Sequence, residues 1–173
     1  CNLHIRLNGF LALAPKSLQA DYTQPQETSA RLERGPAYTS NAQTGLTHQY
    51  RQTDWPTYRY DHRRSGSVAT TLPAQLEPAW QSRIGGIISS ITAAGGHVYV
   101  AQIDAHTVHA LDAITGETVW SYTTAGRIDG PPTIYGGRVV FGSADGSVYC
   151  LIANDGKLIW RVRPVQFDRR IVA

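Results

Sequence analysis

The chain has 173 residues, 42% of them hydrophobic and 17% charged, a balance that suits one folded domain with a sizeable core. Its longest apolar run, near Phe10 to Ala14, falls far short of the roughly 20 residues a membrane-crossing helix needs. The formal charge of +3 is scattered, with Arg59, Arg63 and Arg64 close together, so neither a membrane span nor a nucleic-acid footprint is expected.

Residues 1–20 read as a hairpin or the end of an upstream unit. Leu3, Ile5 and Leu7 alternate, Asn8-Gly9 makes a turn pair, and an apolar run stops at Pro15. Residues 21–53 are polar without a sustained period, which predicts a linker or long loop anchored at most by Leu32 and Tyr38. Residues 54–75 form a denser lead-in. Trp55 and Tyr58 are expected to pack on the next sheet, and an anion site lined by Arg59, Arg63 and Arg64 is the sharper alternative.

From residue 76 to 173 the chain repeats. Trp80, Trp120 and Trp160 are forty residues apart, and the stretch from Ala110 to Trp120 lines up with that from Cys150 to Trp160. A 40-residue period of short strands and turn residues predicts an all-β fold of β-propeller blades, each a four-stranded antiparallel sheet. The first blade is expected to have strands over Ile87–Ala93, His97–Ile103, Thr107–Asp112 and Glu117–Thr123. The second should have them over Ile128–Tyr135, Arg138–Gly142, Ser147–Ile152 and Lys157–Arg163. Gly95-Gly96 and Gly136-Gly137 fall where tight hairpins need positive φ. Asp112 can accept backbone N–H bonds across the third turn, at Thr115-Gly116, and Asp155-Gly156 holds the same place in the next repeat.

An indole is too large to leave in solvent at every repeat, so each tryptophan is expected to dock on the neighbouring blade. The docking set is Trp80, Trp120, Trp160, Asp112, Gly116 and Gly156. Alternation places Trp120 and Thr118 on one face of the outer strand. Cys150 stands where Ala110 stands one repeat earlier, which predicts a small buried hydrophobe.

The run from Ala110 to Trp120 resembles the tryptophan-docking motif A-x-D-x-x-T-G-x-x-x-W of pyrroloquinoline quinone (PQQ)-type propeller repeats. The second repeat keeps Gly156 and Trp160 and departs at Cys150, Ile152 and Asp155. The resemblance covers about Asp54 to Pro164. WD40 repeats share the period but end in Trp-Asp, whereas Gln81, Ser121 and Arg161 come after the tryptophans here; kelch repeats run nearer 50 residues.

The resemblance implies one of two functions. Quinoprotein dehydrogenases of this kind hold PQQ and calcium in the propeller channel, while non-catalytic propellers, such as the lipoprotein of the outer-membrane β-barrel assembly machinery, serve as scaffolds. No adjacent cysteine pair and no acidic run with calcium-like spacing occurs in the sequence. The reading is therefore a non-catalytic scaffold or binding module with no cofactor of its own; PQQ and calcium, in the complete protein, are the alternative. The resemblance also implies a periplasmic or otherwise extracytoplasmic location, with the remaining blades of a parent chain and other proteins as partners.

His106 and His109 are three apart, and on a strand such positions face opposite ways, which argues against a shared metal. Blade-joining loops share a face with the turns between second and third strands. Asp104, His106, Arg127 and Asp129 are thus the candidate ligand-face residues. The chain starts on Cys1 and stops in an apolar run at its last residues, so an incomplete propeller that is marginally stable or self-associates through open edges is expected.

Overall fold

A computed structural model of the chain describes residues 31–38, 51 and 53–164. The expected hairpin over residues 1–20 and the final apolar run lie outside the described residues. Among the described residues, nine strands, all paired antiparallel, form two sheets. The first blade contains β2 (Thr92–Ala94), β3 (His97–Gln102), β4 (Thr107–Asp112) and β5 (Thr118–Thr123), in that spatial order. The second contains β6 (Thr133–Tyr135), β7 (Arg138–Gly142), β8 (Val148–Ile152) and β9 (Leu158–Val162). A further strand, β1 (Leu32–Arg34), pairs with the outer edge of β9 and makes that sheet five-stranded.

The hairpins form where the glycines allow them. Gly95 and Gly96 have φ of 62° and 82°, and Gly136 and Gly137 have 54° and 72°, left-handed values that a side chain would resist. Both inner strands are shorter than expected, for different reasons. In the second blade, Pro131 and Pro132 supply no N–H to a ladder, so pairing starts at Thr133 instead of Ile128. In the first, the strand expected from Ile87 is interrupted. Ser89 Oγ accepts from Ala101 N–H at 3.0 Å and donates to Ser90 O, leaving an isolated bridge at Ile88 before β2 begins.

The outer strands also depart from simple alternation. The register slips between Ala110 and Leu111, so that Ala110 faces Trp120 while Leu111 faces Thr118. The second blade repeats the slip, with Cys150 facing Trp160 and Leu151 facing Leu158. A bulge of this kind bends the strand and re-aims the side chains beyond it. Trp120 is buried while Thr118 and Val119 are exposed, so Trp120 and Thr118 do not share an environment.

The core lies between the two sheets. Tyr99, Ala101, Val108, Ala110 and Trp120 from the first blade meet Ile134, Val139, Phe141, Tyr149, Leu151 and Ala153 from the second. Cys150 is fully buried, as its place in the repeat predicts, and burial pushes its thiol up to about 11, which keeps it protonated and unreactive at neutral pH.

The lead-in segment ties the inner strands together. Trp55 exchanges both backbone hydrogen bonds with Ala93, Ile134 N–H donates to Pro56 O, and the Thr57 and Thr133 hydroxyls are 3.1 Å apart. Trp55 thus joins the first blade through its backbone, while its ring lies against Tyr60, 5.4 Å between centroids. Tyr58 does not dock on that blade: it is 45% exposed, and the Arg64 guanidinium lies over its ring, 5.3 Å from the centroid. Arg64 also donates to Tyr58 O, so it is engaged within the turn.

Candidate functional site

The face that carries the candidate residues is built by three loops. They are the β3–β4 turn at 103–106, the blade connection at 124–130 and the β7–β8 turn at 143–147. Thr124 organises them. Its N–H and hydroxyl both donate to His106 O, at 2.8 and 3.2 Å, and the hydroxyl also lies 2.8 Å from Gly126 O. Ser143 Oγ donates to Gly126 O at 3.0 Å, and Ala144 N–H donates to Arg127 O at 2.7 Å. Gly126 is pressed so closely on the facing turn that an added Cβ would lie 2.4 Å from Asp145 N. The loops are therefore one hydrogen-bonded body.

Three of the four candidates meet. Arg127 Nη2 is 3.1 Å from Asp129 Oδ1, and Arg127 Nε is 3.4 Å from Asp104 Oδ1. The second contact is an ion pair by distance, but its N–H is not aligned on the carboxylate, and the buried Nε lacks a hydrogen-bond partner. Side-chain exposures of 41% for Arg127, 61% for Asp104 and 66% for Asp129 leave the triad in high dielectric, where each pair contributes at most about 1 kcal/mol. His106 joins the group through its backbone: its φ of 57° turns its carbonyl toward Thr124. His109 Nε2 is 3.2 Å from Gln102 Oε1, and burial lowers its pKa. It is thereby held neutral inside the sheet, apart from His106.

One network in the second blade was not read from the sequence. Tyr149 OH donates to Asp145, and Phe141 stacks on the Tyr149 ring at 5.5 Å. Burial, with the Asp145 hydrogen bond, pushes the Tyr149 hydroxyl up to about 12. Asp145 Oδ1 also accepts from Ser147 N–H, so this carboxylate closes its own turn.

The docking residues make the strongest pattern. Trp120 Nε1 donates to Ala153 O of the next blade at 2.8 Å, and Trp80 Nε1 donates to Ala113 O at 3.0 Å, each 33 residues along. Each indole lies on the turn glycine of the blade it docks on. A Cβ on Gly116 would be 2.5 Å from Trp80, and one on Gly156 would be 2.7 Å from Trp120. Gly116 and Gly156 have φ of 74° and 70°, so both backbone angle and contact demand glycine. Sequence reasoning placed these glycines in the docking set and in the turn, without seeing that each is the floor for the preceding indole. The constant Trp-to-Gly spacing in the two repeats was the available signal. Asp112 Oδ1 accepts from Ile114 and Thr115 N–H, both at 2.8 Å, and these bonds hold its carboxyl below the usual range. Trp160 is half-buried and faces Arg34 of β1 in register.

Comparison with known proteins agrees with this geometry. The family described as "Outer membrane protein assembly factor BamB" matches residues 62–168. A quinoprotein ethanol dehydrogenase of Pseudomonas aeruginosa is 34% identical over 101 residues, 50% of this chain and 16% of the relative. Outer membrane protein assembly factor BamB of Moranella endobia is 31% identical over 98 residues, 57% of this chain and 22% of the relative. The chain therefore spans less than a quarter of the length of these relatives. Among solved structures, the quinohemoprotein alcohol dehydrogenase of Comamonas testosteroni covers 70% of this chain with 21% of its own, at 23% identity and a TM-score of 0.56, which bears on the fold alone. With the docking lock present twice and more than half of the sequence matched, the chain belongs to the BamB family of PQQ-like β-propeller repeat proteins.

Proposed function

We propose that this chain is a non-catalytic PQQ-like propeller scaffold, a binding module within a larger extracytoplasmic bacterial protein that works through protein–protein contact. The observation that carries the reading is that the charged groups of the loop face are engaged with one another. Arg127 lies between Asp104 and Asp129, and a guanidinium in that position opposes a divalent cation at the same carboxylates. Among the described residues, no group of three or more His, Cys, Asp or Glu is placed to hold a metal ion. The donor set of the described residues thus does not fit the calcium that accompanies PQQ in quinoprotein dehydrogenases. A rigid, polar, self-paired loop face suits a partner surface instead. Its partners would be the remaining blades of the parent protein and other proteins, without nucleic acid.

The second reading, a part of a PQQ-dependent dehydrogenase oxidising alcohols or sugars, is supported by the 34% identity to quinoprotein ethanol dehydrogenase. Titration of the chain with PQQ and Ca²⁺, followed by quinone absorbance, separates the two. The scaffold reading expects no saturable change. Saturable 1:1 binding in the range of about micromolar Kd would overturn it.

A further inference from the structure

The two outer strands offer the same row of backbone N–H and C=O groups, yet β1 lies on β9 and not on β5. Its bonds run from Gly35 N–H to Ile159 O at 2.8 Å, from Ala37 N–H to Leu158 O at 3.0 Å and from Arg163 N–H to Arg31 O at 3.0 Å. Backbone ladders carry no address, because any extended chain can supply them. Side chains must therefore make the choice. Arg161 Nε and Nη2 both reach Glu33 Oε2, at 2.6 Å each, a charge-assisted contact that fixes register as well as partner. The residue at the corresponding place in β5 is Ser121, which has no charge to offer. Two residues beyond Glu33, a Cβ on Gly35 would lie 2.2 Å from Leu158 O, so the added strand must carry glycine there. The edge of β9 accordingly reads an acid, any residue, then glycine.

We propose that the outer edge of β9 is a selective strand-addition site keyed by Arg161, and that the 31–37 segment of a second copy of this chain takes it in exchange for the chain's own. The second copy is the occupant favoured by the observations, since it carries the required Glu33 and Gly35 by identity. The resident strand is held weakly: all three β1 residues are exposed, Leu32 at 40%, so little apolar area fastens them. Exchange replaces each hydrogen bond and the ion pair with an equal one.

Leu32 and Val162 are Cα partners across this edge, within reach of a disulfide in an antiparallel pair. One chain carrying Leu32→Cys and another carrying Val162→Cys, both with Cys1→Ser, are mixed and oxidised, and cross-linked dimer is measured by non-reducing electrophoresis. The proposal expects a cross-chain disulfide whose yield falls about fivefold when the first chain also carries Glu33→Lys, the effect of one exposed ion pair. Yield should return when the second chain also carries Arg161→Glu. A doubly substituted single chain that closes on itself while the mixture stays monomeric would overturn the proposal. So would a cross-link indifferent to Glu33→Lys, which removes Arg161 as the key, or a dimer in light scattering that forms no cross-link, which places the contact elsewhere.

Discussion

The two blades share a hairpin plan but differ in what covers their docking tryptophans. Trp120 leaves the first blade and is enclosed by the second, 8% exposed, beside Tyr99, whose hydroxyl shares the Ala153 carbonyl at 3.3 Å. Trp80 makes the equivalent hydrogen bond and sits on the equivalent glycine, yet is half-buried, because among the described residues one sheet backs it instead of two. The motif sets the geometry of docking, while its energy comes from the neighbouring sheet.

Truncation should expose that difference most. Trp120→Ala removes an enclosed indole and opens the inter-sheet core, which should cost about 3–5 kcal/mol in urea unfolding. Trp80→Ala should cost less, about 1–2 kcal/mol, since part of its area is already in water. Equal losses would dissolve the distinction between the blades. Alanine at the glycines sharpens it. Gly156→Ala drives a methyl against an indole that has no room to move, for about 1–3 kcal/mol, whereas Trp80 can swing away from Gly116→Ala and soften the cost. A larger loss at Gly116 would show that exposure misrepresents the two sites.

The repeat and its blades were legible in the sequence because Trp, Gly-Gly and turn residues recur at fixed spacing, and each answers a local demand. What escaped depended on distant partners. Nothing local marks Leu32–Arg34 as a strand inside a polar stretch; its ladder comes from β9, 128 residues away at the Glu33–Arg161 pair. The shortened inner strand of the second blade was readable from Pro131-Pro132, while that of the first turns on a serine hydroxyl taking a backbone role. That Asp104, Arg127 and Asp129 share one loop face was legible, since turns at one end of adjacent hairpins lie together; that they pair with one another was not read. His106 contributes its carbonyl and a left-handed backbone, which residue type alone does not announce.

The smallest expected effect concerns the third turn. Asp112 caps it in the first blade, and Ile152 stands at that place in the second. The folded-state pKa of Asp112 is lowered by its backbone bonds, so its contribution is full above the ordinary carboxylate pKa and is lost as pH falls through the depressed value. Asp112→Ala should therefore lower the unfolding midpoint at neutral pH, and its difference from the parent should shrink as pH falls below the ordinary aspartate pKa of about 3.9. A difference that stays constant into acid would mean the carboxylate is not the cap.

The central claim, that Trp120 locks two sheets into one body while Trp80 is held from one side, is tested most directly by hydrogen exchange of the two indole N–H groups, read by NMR on the unmodified chain. Both protons are bonded to carbonyls, so hydrogen bonding alone predicts similar protection. The account predicts that the Trp120 proton exchanges only with global unfolding, tracking the slowest amides of β3, β4 and β8, and that the Trp80 proton exchanges faster by local opening. Equal, fast exchange of both indoles under stable conditions would contradict it.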